Sequence, residues 1–415
     1  MVSENQGLTE RDSDATNGAR KRYNVLFIAP TSFFADYGCH VRILEEALVL
    51  RKRGHWVTIV TYYNGRDIAN LPIERTLPIP WRQHYEVGSS RHKIAFDVLL
   101  SLKLLTVGLR VRPDVIHAHL HEGGLLGYFL SRLLRVPLVF DFQGSLTSEM
   151  IDHRFLRPNG LVYHFLRWLE ERIDHVSDAI LTSSRYATDL LRDEFHCSPG
   201  KIHPLPDCVN SDIFRPNVLA PEEREALRAR WRIRPGAKVV VYLGLLADYQ
   251  GTGLLVDAMR KLVYEQGHQD LHFLIMGYPG VQGYRAYAHE LGLSDYATFT
   301  GRLPYEEAPR MLALGNVAVA PKTSATEGSG KVLNYMAMGL PTVAFDTPVH
   351  REYLGELGIY AERGRADALA EALGWILDRE AHGRRLGAQL RGRAQALYSW
   401  DHAGRRIEEV YDHVC

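Results

Sequence analysis

Five consecutive residues, Glu327, Gly328, Ser329, Gly330 and Lys331, combine a carboxylate, two glycines and a lysine. The glycines favour a turn that leads into the apolar residues that follow, and a helix N-terminus presents backbone N–H groups that suit a phosphate. Lys331 would add a full positive charge, and the carboxylate of Glu327 would accept hydrogen bonds from hydroxyl groups. The stretch therefore predicts a ligand with both hydroxyls and phosphate. An ordinary strand-to-helix turn is an equally weighted alternative.

A second group of chemically active residues comprises His117, His119 and His121, at alternate positions, followed by Glu122. In a strand, the three imidazoles would share one face and could act as zinc ligands. Three ligands two residues apart on one straight strand span too far to converge on one ion, and the strand must end within this run. We therefore predict no metal site.

Short β-branched runs alternate with stretches of helical period along the whole chain. The first half has such runs at residues 23–29, 56–61, 114–119, 137–142 and 178–183. A second set lies at residues 239–244, 271–277, 298–301, 317–321 and 342–346. Strands that alternate with helices predict parallel sheets covered on both faces. We therefore predict an α/β fold with two doubly wound domains and a ligand cleft off the carboxyl ends of their strands.

Two predicted helices border the candidate residues. One opens after Gly38, buries Val41, Leu44 and Leu48, and ends at Gly54. The other covers "KVLNYMAM" and ends at Gly339.

The predicted domain boundaries follow from composition and period. We expect a disordered tail over residues 1–21, a first domain over residues 22–205, and a linker rich in proline and polar residues over 206–221. A second domain would cover residues 222–395. A final helix within residues 396–415 would cross back onto the first domain.

The order of these motifs resembles the retaining glycosyltransferase family 4. The segment "TSATEGSGKVLNYMAMGLPTVAFDTPVHREYLGELG" is similar to the donor site of that family, and "YGCHVRILEEALVLRKRGHWVTIVT" is similar to its first glycine loop and helix. "RPDVIHAHLHEGGLLG", "LPDCVNSDIFRP" and "VVVYLGLLADYQGTGLLVDAM" resemble its acceptor-side strand, its linker and the start of its donor domain. The resemblance implies a GT-B fold, in which an acceptor-binding and a nucleotide-sugar-binding Rossmann-like domain face each other across a cleft. It also implies transfer of a sugar from a nucleotide donor to an acceptor with retention of configuration and without a metal ion.

The resemblance assigns roles to individual residues. It places His119 at the reaction centre and Glu327 on the hydroxyls of the donor sugar, with Gly328, Ser329, Gly330 and Lys331 on its phosphates. Gly38 matches a loop glycine that approaches the donor phosphates. His117 would then be a buried strand residue, and His121 or Glu122 a residue of the pocket wall.

Three positions depart from the family pattern. Tyr335 stands where a second Glu usually holds the nucleotide ribose, so Tyr335 would stack on the ligand or donate a hydrogen bond instead. Leu245 and Gln250 replace the Arg and Lys that clamp the donor diphosphate. Because a diphosphate in a buried cleft needs compensating charge, we predict that Lys331 replaces the missing pair, with Lys322 and Arg185 as weaker candidates.

The resemblance implies a UDP- or GDP-sugar as the donor substrate, no cofactor, and a glycan, a lipid-linked molecule or a small molecule as the acceptor. The three departures leave one alternative function open. The chain could be a non-catalytic GT-B subunit that binds a sugar nucleotide or a protein partner.

Composition limits the other partners. Lys plus Arg and Asp plus Glu are balanced at 49 each, so no overall field draws the chain to nucleic acid. Four scattered cysteines without a CxxC pair suit a reducing compartment, and the N-terminus has no apolar signal core. We predict a cytoplasmic protein, with the inner face of the cell membrane as an alternative location.

Two apolar-basic stretches, residues 96–112 and 153–173, have helical spacing. Core or interdomain packing is the favoured explanation of each. A peripheral membrane contact is the alternative, and a lipid-linked acceptor would suit it.

Overall fold

The computed structural model describes residues 21–35, 38–79, 93–152, 156–324 and 328–415. Residues 1–20 of the predicted tail lie outside the described residues, and so does Glu327.

Seven parallel strands form the sheet of the first domain, in the order β3-β2-β1-β4-β5-β6-β7. The strands are β1 Asn24–Ala29, β2 Trp56–Thr61, β3 Ile73–Arg75, β4 Val115–His119, β5 Leu138–Phe142, β6 Ala179–Thr182 and β7 Ile202–Pro204. The helices are α1 Gly38–Lys52, α2 Lys93–Val111, α3 Leu120–Leu134, α4 Leu146–Asp152, α5 Leu161–Val176 and α6 Arg185–Asp189. Because β1 pairs with both β2 and β4, the strand order reverses there, and the loops after β1 and β4 open onto one crevice.

Six parallel strands form the second sheet, in the order β10-β9-β8-β11-β12-β13. The strands are β8 Lys238–Leu243, β9 Leu271–Met276, β10 Ala297–Gly301, β11 Val317–Ala320, β12 Thr342–Phe345 and β13 Ile359–Ala361. The helices are α7 Pro221–Arg230, α8 Thr252–Arg260, α9 Val281–Glu290, α10 Ala308–Leu312, α11 Gly330–Ala337, α12 Pro348–Leu354, α13 Ala366–Leu377, α14 Glu380–Leu397 and α15 Trp400–Val414. The order reverses between β8 and β11, so the loops after these strands form the second crevice.

The predicted α/β fold with two doubly wound domains is confirmed. All ten predicted strands are present, each within one residue of the predicted ends. The sequence missed β3, β7 and β13, which are edge strands of three residues each. Three residues are too few to show a period.

The last helix, α15, returns to the first domain and packs on α1. Ile407 and Tyr411 are buried among residues of β1 and α1. The hydroxyl of Tyr23 donates to Asp412 at 2.6 Å, and Lys52 pairs with Asp401 at 3.0 Å. The end of the chain therefore covers the helix that follows the first crevice.

The predicted buried face of α1 is partly wrong. Leu44 is buried, but Leu48 is 38 % exposed, and the helix buries Arg42, Glu45 and Glu46 instead. The reason is that α1 is covered both by the sheet and by α15 and also faces the cleft, so charged side chains with partners fill positions that the apolar period cannot reveal.

Packing explains only one side of each of the two apolar-basic stretches. Helices α2 and α5 bury one side, but Leu102 remains 60 % exposed and Phe165 58 % exposed. Among the described residues, no helix combines the length and the apolar character that crossing a bilayer requires.

Buried neutral histidines make the stability of the fold depend on pH. Burial lowers the pKa of His272 on β9 to about 4, and its Nε2 lies 2.9 Å from the hydroxyl oxygen of Thr298. Below the ordinary histidine pKa of about 6.5, the unfolded chain binds a proton that the folded chain does not. This contribution to stability is therefore complete above about pH 6.5 and is lost as the pH falls toward 4.

We predict that His272→Gln, whose amide can still donate to Thr298, flattens this pH dependence. Between pH 7 and pH 5, the free energy of unfolding should fall by about 2 kcal/mol less in the variant than in the parent protein. Urea unfolding at pH 5, 6 and 7 measures the difference, with the exposed His402→Gln as the matched control. Parallel pH profiles for the parent protein and His272→Gln would contradict the prediction.

Candidate active site

A cavity of about 410 Å³ lies between the two domains, where the crevices of the two sheets meet. Direct contacts join its two walls. The hydroxyl of Tyr278 donates to the carbonyl of Ala35 at 2.9 Å, and the hydroxyl of Tyr305 donates to Glu45 at 3.0 Å. The structure therefore has the two domains in contact around the cleft.

Charged residues line the cavity in separate groups. The second domain contributes Lys322 and Lys331, which follow β11 and begin α11. The carboxylates of Glu122 and Glu149 belong to the wall of the first domain, and Asp207 belongs to the segment that joins the domains. An anionic ligand is therefore favoured on the wall of the second domain.

The side chain of Lys331 crosses the wall of the second domain and contacts Gln250, the residue that stands where the family resemblance implies a lysine. Its Nζ donates to Gln250 Oε1 at 2.7 Å and to the hydroxyl of Tyr242 at 3.3 Å. The ammonium also lies 4.6 Å from the centre of the Tyr242 ring. A Cβ on Gly244 would come within 2.7 Å of this Nζ, so the glycine after β8 provides the space that the lysine occupies.

A neutral histidine, His350, is hydrogen-bonded to the turn that precedes α11. His350 donates from Nδ1 to the carbonyl of Phe345 at 2.7 Å, so its Nε2 is an acceptor for the hydroxyl of Ser329 at 3.0 Å. Burial, opposed in part by the bond to Phe345, lowers the pKa of His350 to about 4. Lys322 donates to the carbonyl of Gly328 at 2.8 Å. Both contacts fix the glycine turn beside the cavity.

A buried ion-pair cluster supports the opposite wall. Arg42 of α1 donates to Asp141 at 2.7 Å and to Asp207 at 3.2 Å. Its Nε also lies 3.1 Å from Glu46. Burial would raise the pKa of Asp141, but the Arg42 guanidinium holds it well below its usual range. Burial and the negative charge of Asp141 raise the pKa of Glu46 well above its usual value.

The structure separates the three histidines. His117 and His119 end β4, fully buried, with stacked rings whose centres are 4.7 Å apart. Leu120 has a φ of 61°, which turns the chain before α3, and His121 lines the cavity. The strand therefore ends within the histidine run, as predicted, and His121 does not share a strand face with His117 and His119.

His119 is fully buried behind the cavity surface, so its contact with the sugar stays a prediction. Its Nδ1 lies 3.0 Å from Asp141 Oδ2 and donates to it, so its buried Nε2 is an acceptor. Burial lowers the pKa of His119, which keeps the ring neutral. Asp141 therefore fixes the orientation of His119 behind the wall to which His121 belongs.

One group among the described residues has the geometry of metal ligands, formed by Glu46, His117 and His119. Their ligand atoms lie within 4.8 Å of one another, and all three side chains are buried. The guanidinium of Arg42 is already in contact with Glu46. A divalent cation would lie beside this positive charge and be repelled by it. The cluster is therefore better described as part of the buried ion-pair cluster around Arg42 than as a metal centre.

The other predicted site residues divide into three groups. Gly38, Gly328, Ser329, Gly330 and Lys331 line the cavity, whereas Glu327 lies outside the described residues. The prediction that Tyr335 contacts a ligand is wrong. Its side chain is fully buried in the core of the second domain, and its hydroxyl accepts a hydrogen bond from the backbone N–H of Leu243 at 2.7 Å.

Sequence reasoning missed Arg42, Asp141, Asp207 and His350. Each owes its place to partners that are distant along the chain, and no local spacing signals them. The charged residues inside the predicted apolar face of α1 were the available hint.

Comparisons with known proteins agree with this architecture. The profile described as "Glycosyl transferase 4-like domain" matches residues 37–208, and "Glycosyl transferases group 1" matches residues 237–379. An α-D-kanosaminyltransferase from Streptomyces kanamyceticus is 26 % identical over 74 % of this chain and 79 % of its own length. A D-inositol 3-phosphate glycosyltransferase from Nocardia farcinica is 25 % identical over 90 % of this chain and 84 % of its own length.

Solved structures share the fold. A sucrose-phosphate synthase from Thermosynechococcus elongatus superposes with a TM-score of 0.79 at 19 % identity, over 94 % of this chain and 99 % of its own. Anabaena HepE in complex with UDP gives a TM-score of 0.73 at 15 % identity, over 94 % and 100 % of the two chains. With both family profiles matched in order and both Rossmann-like domains in place, the chain belongs to glycosyltransferase family 4, has the GT-B fold, and is a glycosyltransferase that uses a nucleotide-sugar donor.

Proposed function

We propose that the protein transfers a sugar from a UDP- or GDP-sugar to an acceptor hydroxyl, with retention of anomeric configuration and without a metal ion. One observation carries the proposal. The lysine ammonium of Lys331 and the backbone of the Gly328–Gly330 turn converge on one wall of the cleft, at the N-terminus of α11. A full cation beside helix N–H donors is the arrangement that a diphosphate requires.

The residues of this wall would share the donor between them. The glycine turn and Lys331 would bind the diphosphate, with Lys322 holding the turn through Gly328. Glu327, next to the turn in sequence, would accept hydrogen bonds from the sugar hydroxyls. The UDP bound to HepE, a protein with the same fold, favours UDP over GDP as the nucleotide.

In the proposed reaction, the acceptor hydroxyl attacks the anomeric carbon on the face from which the diphosphate departs. The new bond forms between the acceptor oxygen and the anomeric carbon, the bond from that carbon to the phosphate oxygen breaks, and the acceptor proton passes to the phosphate. Lys331 would stabilise the charge that develops on the leaving group, as a preorganised donor in a water-poor site does. No metal is then needed at the diphosphate.

We assign the acceptor side to the first domain. His121 and Glu122 line this wall, where a polar side chain can orient the attacking hydroxyl. His119, held by Asp141 at 3.0 Å, would act from behind and reach the sugar only after the wall rearranges around bound donor. The acceptor would be a glycan, a lipid-linked molecule or a small molecule.

Incubation with a panel of nucleotide sugars tests the activity. We expect release of nucleoside diphosphate from one donor in the presence of glycan, lipid or small-molecule acceptors, and unchanged rates after exhaustive chelation. NMR of the product should show the anomeric configuration of the donor. Release of no nucleotide from any donor would favour the non-catalytic subunit, and an inverted product would refute retention.

We predict that Lys331→Ala weakens binding of the donor and of the free nucleoside diphosphate. Charge-assisted hydrogen bonds contribute about 1.5–3 kcal/mol, so affinity should fall about 10- to 100-fold. Calorimetric titration measures it, with Lys52→Ala as the control because Lys52 is exposed on α1 and pairs with Asp401.

A second variant separates charge from structure. Gln250 and Lys331 are in contact at 2.7 Å. In Lys331→Ala/Gln250→Lys, a lysine at position 250 therefore returns an ammonium to the same part of the wall from the loop after β8. Part of the lost affinity should return. Unchanged affinity in Lys331→Ala would refute charge compensation by this lysine.

A further inference from the structure

Three neighbouring helices of the first domain carry most of the exposed apolar side chains of the described chain. Ten of the seventeen large apolar residues that are exposed lie on α2, α3 and α5. The helices are in direct contact: a Cβ on Gly108 of α2 would come within 3.3 Å of Leu130 on α3, and one on Gly124 of α3 would come within 2.8 Å of Ile173 on α5. They therefore form one continuous layer over the sheet.

Helix α5 has the most apolar outer surface. Leu161 is 91 % exposed, Phe165 58 % and Trp168 51 %, at the spacing that places them on one stripe. Val162 beside them is 62 % exposed. The opposite side of α5 is fixed inward by Ile173, which is buried. The stripe is thus an outer face of a packed helix.

Helices α2 and α3 extend this apolar surface. On α2, Val98, Leu102, Leu105 and Leu109 repeat every three or four residues, each between 39 % and 60 % exposed. On α3, Phe129 is 64 % exposed and Leu133 is 60 % exposed. Exposed apolar side chains gathered on three neighbouring helices mark a candidate interaction surface. We call the ten residues of α2, α3 and α5 the apolar face.

Arginines outnumber the exposed acids around the apolar face, although α5 contains three acids, of which Glu171 is 43 % exposed. Glu170 and Asp174 of α5 are fully buried, and burial, with the nearby Glu170, raises the pKa of Asp174 well above its usual range. The guanidinium of Arg172 lies 5.6 Å from the centre of the Trp168 ring. Exposed arginines also flank the face at the ends of the helices: Arg112, Arg132, Arg135, Arg157 and Arg110, which pairs with Glu74.

We infer that the apolar face docks the protein on the surface of an anionic lipid bilayer. Aromatic and aliphatic side chains with arginines beside them suit the boundary between acyl chains and headgroups, and acidic lipids would neutralise the arginines. A second copy of this chain on the same face would bring the two sets of arginines together, which charge repulsion opposes. The absence of a spanning helix among the described residues agrees with a peripheral contact.

Docking there would place the membrane beside the acceptor wall. Helix α5 holds the start of α4 through Glu170, which accepts from the backbone N–H of Leu146 at 2.8 Å. Leu146 and Met150 of α4 line the cavity. If the proposed transfer is correct, a lipid-anchored acceptor could therefore enter from the docked bilayer.

Vesicle flotation of the full chain without donor or acceptor tests the inference. The probes are vesicles of phosphatidylcholine alone and of phosphatidylcholine with about one-third phosphatidylglycerol. We expect binding to the anionic vesicles, weaker binding in high salt, and a loss of at least about tenfold in the partition coefficient of Phe165→Asp/Trp168→Asp. Arg172→Glu/Arg132→Glu should weaken binding to anionic vesicles by a similar factor.

The chain offers matched controls on the second domain. Trp375 is 42 % exposed, with Arg379 lying 4.9 Å from its ring, so Trp375→Asp removes the same chemistry away from the apolar face. Arg384→Glu changes an arginine that is 74 % exposed. Both should bind vesicles as the parent protein does.

Three results would overturn the inference: no binding to anionic vesicles, equal loss in the controls, or self-association in sedimentation velocity that Phe165→Asp/Trp168→Asp abolishes. The last would assign the face to a second copy of the chain. Because no sugar transfer is measured, failure here leaves the proposed transferase activity standing, and failure of that activity leaves docking standing.

Discussion

The buried guanidinium of Arg42 is the constraint on which the site depends. It joins α1 to Asp141 at the end of β5 and to Asp207 in the segment between the domains. A buried arginine without its partners would cost several kcal/mol, so these elements cannot separate easily. Asp207 also accepts from the hydroxyl of Tyr353 in the second domain at 3.2 Å. The charge of Arg42 therefore links the first sheet to the segment between the domains and, through Asp207, to the second domain.

The same cluster decides which charges are available in the cleft. Arg42 is paired with the carboxylates of Asp141 and Asp207, and burial raises the pKa of the neighbouring Glu46. The wall of the second domain instead presents its lysines at the glycine turn. Asp207 lies against that turn, because a Cβ on Gly328 would come within 2.6 Å of its Oδ2. Asp207 and the glycine turn are thus close neighbours, and in the proposed binding mode donor binding would be coupled to domain geometry through them.

The sequence was sufficient for the sheets and for the residues of the glycine turn, because strand period and local motifs are short-range signals. It was insufficient where the direction of a side chain decides whether the residue lines the cavity or fills the core. Tyr335 shares a helix with Lys331 yet fills the core, since its hydroxyl is used by the backbone of Leu243. His119 lies buried behind the wall, while His121 lines the cavity as expected, because Leu120 turns the chain at a φ of 61°. The partners of Arg42 come from β5 and from the segment between the domains, and no hydrophobic period in the sequence relates these segments to α1.

The meeting of Lys331 with Gln250 gives the departure from the family pattern a physical meaning. The family resemblance places a lysine at position 250, on the loop after β8, whereas this chain places its ammonium on α11 and leaves a neutral acceptor at the loop. The cation and the N–H donors of the glycine turn then belong to one rigid element, which His350 supports through Ser329. Groups that must stabilise a leaving diphosphate together are better preorganised when they move together. In the proposed binding mode, the substitution would therefore relocate the charge onto the element that also presents the N–H groups of the glycine turn.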